Sequence, residues 1–238
     1  MSPRRARGPQ AKVKVEAEAK TQDEGEGEGE READLKVEAG AETGAEARTP
    51  GCICLGLGSP AASRDARAQL AFLLEACDAL ELDRGAIPVF DPVFSDEDHA
   101  LLSELGLQPT AEDKQARYAL EDTTLAYMPH CDLQLYENLL RANWTRAALP
   151  RVVLIANRLS EYADSMPSRR LSAEYPCVAR IGARPAVSRL TVQPLPPWPA
   201  HPTAFNNTAV QYARADALAQ PPEDWWALPA AAPSPAPE

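Results

Sequence analysis

A histidine and a cysteine, His130 and Cys131, stand side by side directly after an apolar run that stops at Pro129. An imidazole can carry protons, and a cysteine thiolate is a nucleophile when a cation or a helix N-terminus favours its charged form. Cys131 precedes an amphipathic segment that begins at Asp132, so it is expected at such a terminus. Neighbouring residues of an extended chain point to opposite faces, however, and His130 is therefore poorly placed to activate Cys131. No complete set of acid, base and nucleophile is visible, and the alternative role of the pair is structural.

A metal site that combines this pair with Cys52 and Cys54 is disfavoured by geometry. Both cysteines open their strand, whereas His130 closes a parallel one, and several residues at roughly 3.3 Å each separate the two groups. The chain has five cysteines, and an odd number spread along the chain argues against a disulfide framework. Cys77 lies on the apolar face of a predicted helix and is expected to be a core residue.

A second candidate is the turn Gly56-Leu57-Gly58-Ser59-Pro60-Ala61, which matches the pattern G-x-G-x-x-A between a strand and a helix. Glycines at these positions let the backbone approach a phosphate, and a helix N-terminus donates N–H groups to it. Asp91 ends the next strand, where a carboxylate can bind a ribose, although it lies further along than the usual spacing of about 20 residues. The alternative is a tight turn that merely needs small residues.

The elements that position these residues are predicted from apolar periodicity. Strands are expected at 52–57, 87–90, 124–128 and 151–157, helices at 60–82, 95–105, 132–144 and 168–179, and a last extended segment at 208–212. Pro60 suits the first turn of the first helix, and Ser95 is expected to cap the second, which Gly106 stops. The alternation of strand and helix predicts a single Rossmann-like three-layer α/β domain with a mostly parallel sheet.

Parallel strands end at the same edge of a sheet, and open α/β folds bind their ligands there. Gly58, Asp91, His130 and Asn157 each follow a predicted strand and should therefore meet at that edge. The late segment 205–208 is polar and small beside an aromatic residue, so it could fold back over the same edge. The candidate ligand-binding residues are Gly56, Gly58, Ser59, Asp91, His130, Cys131, Asn157 and Asn206.

Composition bounds the classes of partner. The chain carries 24 Lys plus Arg against 35 Asp plus Glu, a net charge of −11, which disfavours direct binding to nucleic acid or to anionic lipid. No apolar run approaches the roughly 18 residues of a membrane span, and no apolar stretch follows the first basic residues as in a secretory signal. A cytoplasmic or nuclear protein fits best.

The chain is expected to fold only in its middle part. Residues 1–49 are rich in glutamate and poor in apolar residues, which predicts a disordered acidic tail. Residues 228–238 are rich in proline and alanine and predict a second disordered tail. The predicted α/β domain therefore comprises residues 50–227, a length that suits one core.

Several motifs within residues 52–226 resemble the family named for "sensitivity to red light reduced", and in particular its animal members. The run Met128-Pro129-His130-Cys131, with the tyrosine and the asparagine–tryptophan pair that follow, is specific, whereas the glycine turn alone is not. The chain departs from the family at Asn207, where the family has aspartate. The motifs that carry the resemblance are Gly56–Ser59, Arg67–Ala71, Val89–Pro92, Tyr127–Cys131, Leu135–Leu140, Asn143-Trp144 and Phe205–Thr208.

The resemblance implies a regulatory protein of the circadian clock, including expression of core clock genes, and of haem biosynthesis, located in cytoplasm and nucleus. No catalytic reaction is established for the family, so the resemblance implies none. The protein would act through protein partners, with a small-molecule or nucleotide ligand at the sheet edge as a further expectation. The alternatives are a nucleotide-cofactor-dependent methyltransferase or oxidoreductase, and haem binding through His130 or Cys131. The residues alone leave the cofactor unknown.

Overall fold

The computed structural model describes residues 12–16, 36–40, 51–182 and 190–229. Two short strands, β1 (Lys12–Glu16) and β2 (Lys36–Gly40), form an antiparallel pair within the segment predicted to be an acidic tail. The rest of that segment and the predicted tail beyond residue 229 lie outside the described residues. The extent of the two tails stays a prediction.

From Gly51 to β7 strands and helices alternate, except that β6 follows β5 without a helix between them; most of the described elements after β7 are helices. In chain order they are β3 (Gly51–Leu55), α1 (Arg64–Ala79), β4 (Pro88–Phe90), α2 (Asp96–Glu104), β5 (Gln108–Pro109), β6 (Thr124–Met128), α3 (Leu133–Ala142), β7 (Val152–Asn157), α4 (Leu159–Ser165), α5 (Ser168–Glu174), α6 (Pro176–Gly182), β8 (Leu190–Pro194), β9 (Thr208–Ala213), α7 (Ala215–Ala219) and α8 (Glu223–Trp226).

Seven strands form a mixed sheet in the order β5-β4-β3-β6-β7-β9-β8. The first five are parallel to one another, and β9 is antiparallel to both β7 and β8. Since β8 opposes β9, it runs in the direction of the parallel strands, and β9 alone in this sheet is reversed. The α/β class with a mostly parallel sheet is confirmed.

Alternate residues of the central strands enter two separate cores, as the two-residue period of a strand requires. Tyr127 and Ile155 pack with α1 and α2 on one face, whereas Met128 and Leu154 pack with α3 and α6 on the other. Cys77 is fully buried in the first core, as predicted. Helices therefore cover both faces of the sheet, which explains why β6 and β7 are continuous apolar runs.

The local predictions were confirmed in part. Ser95 caps α2 through a capping box with Asp98, as the sequence indicated for the serine. The prediction that Pro60 starts the first helix was wrong, because α1 begins at Arg64 and Ser63 is its N-cap. The single helix expected at 168–179 is two helices that meet at Tyr175, and β5, α4 and β8 were not predicted. None of the helices in the described ranges combines the length and the apolar character that crossing a membrane requires.

Candidate functional site

The glycine turn after β3 is held by the strand beside it. Gly56 and Gly58 have φ angles of 68° and 73°, in the left-handed region that glycine adopts without strain. The N–H of Gly56 donates to the carbonyl of Phe90 at 3.1 Å. The N–H of Gly58 donates to Oδ2 of Asp91 at 2.7 Å, and Oδ1 of Asp91 accepts from the N–H of Val93 at 3.0 Å. Both carboxylate oxygens of Asp91 therefore accept hydrogen bonds from backbone N–H groups of the same chain.

A second carboxylate, Asp98 of α2, reaches the same turn and was missed by the sequence reasoning. Its Oδ1 accepts from the N–H of Ala61 at 2.8 Å, and its Oδ2 accepts from the N–H and the hydroxyl of Ser95. Burial by itself would raise the pKa of Asp98, but these hydrogen bonds and one from the Ser59 hydroxyl lower it to about 2. The spacing Ser95-x-x-Asp98 could have signalled the capping box, but not the contact with Ala61.

These contacts change the chemistry expected of the turn. The N–H groups of Ala62 and Ser63 donate to the carbonyl of Ser59, so they too are paired within the chain. With Gly58 and Ala61 bound by carboxylates, the place of a phosphate is taken by the protein's own anions. A phosphate that used the N–H groups of Gly58 and Ala61 would have to displace these two carboxylates.

Cys131 is a packing residue of this turn rather than an exposed nucleophile. It is 6 % exposed, and its Sγ–H donates to the carbonyl of Leu55 at 3.2 Å. Burial, with the nearby charges of Asp91 and Asp132, raises the pKa of the thiol to about 12. A Cβ at Gly56 would overlap the sulfur of Cys131, so the position of this sulfur requires a glycine at residue 56.

His130 is exposed and joins β6 to the late segment of the chain. It has a φ of 54°, an unusual conformation for a residue with a side chain. Its Nε2 lies 3.0 Å from the carbonyl oxygen of Ala204, which also accepts from Nε2 of Gln69 at 2.8 Å. A carbonyl only accepts, so Nε2 of His130 carries the proton, and Nδ1 is the acceptor when the ring is neutral.

The segment before β9 folds back over the carboxyl edge, as the sequence suggested for residues 205–208. The ring of Phe205 stacks on Trp198 with centroids 5.8 Å apart and meets the ring of Phe72, on α1, in a tilted contact at 5.3 Å. Asn207 accepts two hydrogen bonds from Arg158, one at its backbone carbonyl and one at its side-chain oxygen. Asn206 is exposed in the turn that precedes β9.

Unpartnered oxygens lie at the other end of the edge, between β7 and β9. The Asn157 amide donates from Nδ2 to the hydroxyl of Tyr162 at 3.0 Å, but its Oδ1 is buried and has no partner among the described residues. Thr208 lies directly opposite Asn157 in the antiparallel ladder, and its Oγ1 is likewise buried and unpartnered within the described chain. Asn157 and Thr208 are the last opposed pair of this ladder, at the carboxyl end of β7.

Asp132 adds negative charge to this end. It is exposed at the N-cap position of α3, and its carboxylate makes no capping hydrogen bond. Burial raises the pKa of the Tyr162 hydroxyl, and the negative charge of Asp132 contributes to the same shift. Tyr136 donates from its own hydroxyl to the carbonyl of Met128 at 3.0 Å and is fully buried beside them.

The structure thus places the predicted residues at one edge and divides them into two groups. One group is the internally bonded turn at Gly56, Gly58 and Ser59, together with Asp91 and Cys131, which contact it. His130 follows β6, Asn157 is the last residue of β7 and Asn206 precedes β9, so these three lie at the part of the edge formed by β6, β7 and β9. Ligand binding by these residues stays a prediction. The described residues contain no group of three metal-ligating side chains, and all five cysteines are free and buried.

Fold and edge together define a Rossmann-like α/β protein whose candidate site lies at the carboxyl ends of its strands. The SRR1 domain matches residues 28–212, which is most of the chain, and the chain belongs to that family. The family resemblance read from the motifs is therefore confirmed. No solved structure matches the chain significantly.

Three curated relatives show how far the similarity extends. The chain is 36% identical over 134 residues to an SRR1-like protein of Mus musculus, covering 56% of this chain and 54% of the mouse protein. It is 30% identical over 143 residues to Protein SENSITIVITY TO RED LIGHT REDUCED 1 of Arabidopsis thaliana, covering 59% and 51%. An SRR1-like protein of Drosophila melanogaster is 35% identical over 105 residues, covering 44% and 37%. The match thus spans about half or less of each relative's length.

Proposed function

We propose that this chain is a regulatory protein that acts by binding other proteins, in cytoplasm and nucleus, within circadian clock regulation and the control of haem biosynthesis. Membership of the SRR1 domain family carries the proposal and supports a regulatory role of a general kind. The name of the Arabidopsis relative refers to a light response, which is in keeping with a role in timing.

The chemistry of the edge supports binding over catalysis. The thiol of Cys131 has a raised pKa, is buried and donates to Leu55, so it lacks the thiolate character of a nucleophile. The imidazole of His130 is tied to Ala204 by Nε2. Exposed apolar groups that a partner could cover are Val93, which is 60% exposed, and Trp198, which is 41% exposed.

Removal of the protein from cells tests this proposal. Rhythmic transcript levels of core clock genes and total haem are measured before and after removal, and both are expected to change. Re-expression of the wild-type chain should restore them, and a fluorescent fusion should be found in both cytoplasm and nucleus. Unchanged rhythms together with unchanged haem would contradict the proposal.

Partner binding is tested with a pair of surface variants. Trp198→Ala removes an exposed ring of the late segment, whereas Val192→Ala, on β8, trims another exposed apolar residue elsewhere in the sheet. If partners bind beside the carboxyl edge, only Trp198→Ala should fail to restore rhythm and haem while remaining folded by circular dichroism. Equal rescue by both variants would place the partner surface elsewhere.

A direct link to haem would depend on His130 rather than Cys131. The bond to Ala204 leaves Nδ1 of the exposed His130 ring as the available nitrogen, whereas the sulfur of Cys131 is buried against Gly56. Titration of purified protein with haem should then give a Soret band that His130→Ala shifts and Cys131→Ala does not. Identical spectra for the wild type and His130→Ala would exclude this ligand.

A second candidate function, a nucleotide-cofactor-dependent enzyme, is favoured by the strand order. Numbered from β3, the main sheet reads 3-2-1-4-5-7-6 with only the seventh strand reversed, an order typical of Rossmann-like methyltransferases. Fold analogy alone does not assign an activity. Native mass spectrometry of purified protein should reveal a retained adenine-containing ligand if this function holds, and its absence under conditions that preserve weak complexes would count against it.

A further inference from the structure

The short helix α5 presents a serine that follows two arginines. Its sequence is SRRLSAE, so Arg169 and Arg170 stand three and two positions before Ser172. In the full sequence, Ser172 is the one serine or threonine with an arginine three positions before it. Protein kinases that select arginine at these positions bind the guanidinium groups with carboxylates of their substrate groove. The pattern indicates a substrate of an arginine-directed serine/threonine kinase.

The groups that such a kinase would contact are accessible. Ser172 and Arg169 are both exposed, and neither side chain makes a hydrogen bond or an ion pair with another residue in the described ranges. Arg170 pairs with Glu174 at 3.0 Å, but both side chains of this pair are largely exposed. Exposed ion pairs contribute little, so Arg170 can exchange Glu174 for a carboxylate of an enzyme.

The helix is also one that can open, as phosphoryl transfer requires a serine oxygen placed in line with the γ-phosphate. It has seven residues, its N-cap Pro167 provides no side-chain hydrogen bond, and Leu171 is its one buried residue. Pro167 and Pro176 bound it on either side, and a proline disfavours helical geometry in the residue before it. Helices this short are marginal by themselves, so α5 is held mainly by the packing of Leu171.

We propose that Ser172 is a phosphorylation site for an arginine-directed serine/threonine protein kinase, with ATP as the phosphoryl donor. Oγ of Ser172 forms a bond to the γ-phosphorus while the bond from that phosphorus to the β–γ bridging oxygen breaks. ADP leaves with that oxygen, and the hydroxyl proton passes to the carboxylate base of the kinase. The modification does not depend on which partner or ligand the chain binds.

Phosphorylation would reverse the charge of α5. The helix carries two arginines and one glutamate, and a phosphoserine adds about −1.5 to −2 charges at neutral pH. Arg169 lies on the same side of the helix as Ser172, three positions earlier, and can therefore donate to the phosphate. A partner attracted to the unmodified helix by its positive charge would be repelled by the modified one.

Incubation of the purified full chain with radiolabelled ATP and the catalytic subunit of cAMP-dependent protein kinase, an arginine-directed enzyme, tests this site. Label should enter the wild type and be located on Ser172 by mass spectrometry. Ser172→Ala should abolish labelling, whereas Ser168→Ala, which removes an exposed serine that precedes both arginines, should not change it. Arg169→Gln should lower kcat/KM about tenfold or more, and Arg64→Gln, exposed at the start of α1, should leave it unchanged.

A synthetic peptide of residues 166–176 separates the motif from the fold. Labelling of the peptide but not of the folded chain would show that α5 does not open, and would overturn the proposal. So would label on another residue, undiminished labelling of Ser172→Ala, or equal rates for the wild type and Arg169→Gln. Circular dichroism should show that each variant is folded.

The same residue should carry phosphate in the full chain isolated from cells in which an arginine-directed kinase is activated and phosphatases are inhibited. Mass spectrometry that recovers the peptide around Ser172 only in its unmodified form would overturn the proposal.

Discussion

Two parts of the carboxyl edge differ in how their polar groups are paired. At the β3–β4 end, Asp91 and Asp98 accept hydrogen bonds from backbone N–H groups of the glycine turn. At the β7–β9 end, the side-chain oxygens Oδ1 of Asn157 and Oγ1 of Thr208 have no partner among the described residues. The first region contains bonded groups that stabilise the fold. The second contains groups whose desolvation no other described residue compensates. Substitutions in the first region should therefore cost stability, and substitutions that remove the unpartnered oxygens of the second should cost little or none.

The largest effect is expected for Gly56→Ala. The new Cβ would overlap the sulfur of Cys131, and the residue would be held at a φ of 68°. Overpacking and backbone strain together should lower the free energy of unfolding by about 3 kcal/mol, measured by urea denaturation. In Gly58→Ala the added Cβ meets Ala66 at an ordinary 3.5 Å, so only the strain of about 1 kcal/mol remains.

The combination of Gly56→Ala with Cys131→Ala checks the cause. Removal of the sulfur relieves the overlap, so part of the lost stability should return. If the double variant loses as much free energy of unfolding as the two single variants together, or more, the sulfur is not the obstacle.

Asp98→Ala should have the next largest effect. It leaves the N–H of Ala61 without its acceptor and removes half of the capping box of α2. The free energy of unfolding should fall by roughly 1–3 kcal/mol. Glu97→Ala, one residue away and exposed, is the control and should change the same urea midpoint far less. Equal shifts for the two variants would contradict the assigned contacts.

The same carboxylate predicts a dependence on pH. The pKa of Asp98 is lowered from 3.8 to about 2, so its ionised form stabilises the fold above pH 3.8, and that contribution is lost as pH falls through about 2. The stability difference between the wild type and Asp98→Asn, measured by urea denaturation, should be largest at pH 6 and shrink steadily below pH 4. A difference that does not change with pH would refute the role of the charge.

The smallest effect is expected at the β7–β9 end. Thr208→Val removes a buried, unpartnered hydroxyl, so the melting temperature of the ligand-free protein should stay the same or rise slightly. Thr124→Val is the matched case in which the hydroxyl does donate, to the carbonyl of Asp122 at 3.0 Å, and it should destabilise by about 1 kcal/mol. Destabilisation of Thr208→Val to the same degree would remove the distinction between the two regions.

Local patterns predicted those parts of the fold that depend on neighbouring residues. The apolar run of β6 and the cap at Ser95 were found from the sequence, because a buried strand and a capping box involve only residues a few positions apart. The start of α1 was misplaced, since Pro60 and Ser63 both suit a first turn and only the turn's contacts decide between them. The strands β5 and β8 were not predicted, because β5 has only two residues and β8 lies at the edge of the sheet.

The sequence by itself determined that strands alternate with helices and that polar residues follow the strands, because periodicity and strand ends are local properties of the chain. Only the tertiary structure decided which of those polar residues find hydrogen-bond partners. The carboxylate of Asp98 reaches a turn 37 residues away, and Thr208 comes to lie opposite Asn157 through the reversed strand β9. Whether a polar atom finds a partner depends on the order in which distant strands pair, and that order is set by the packing of the whole sheet.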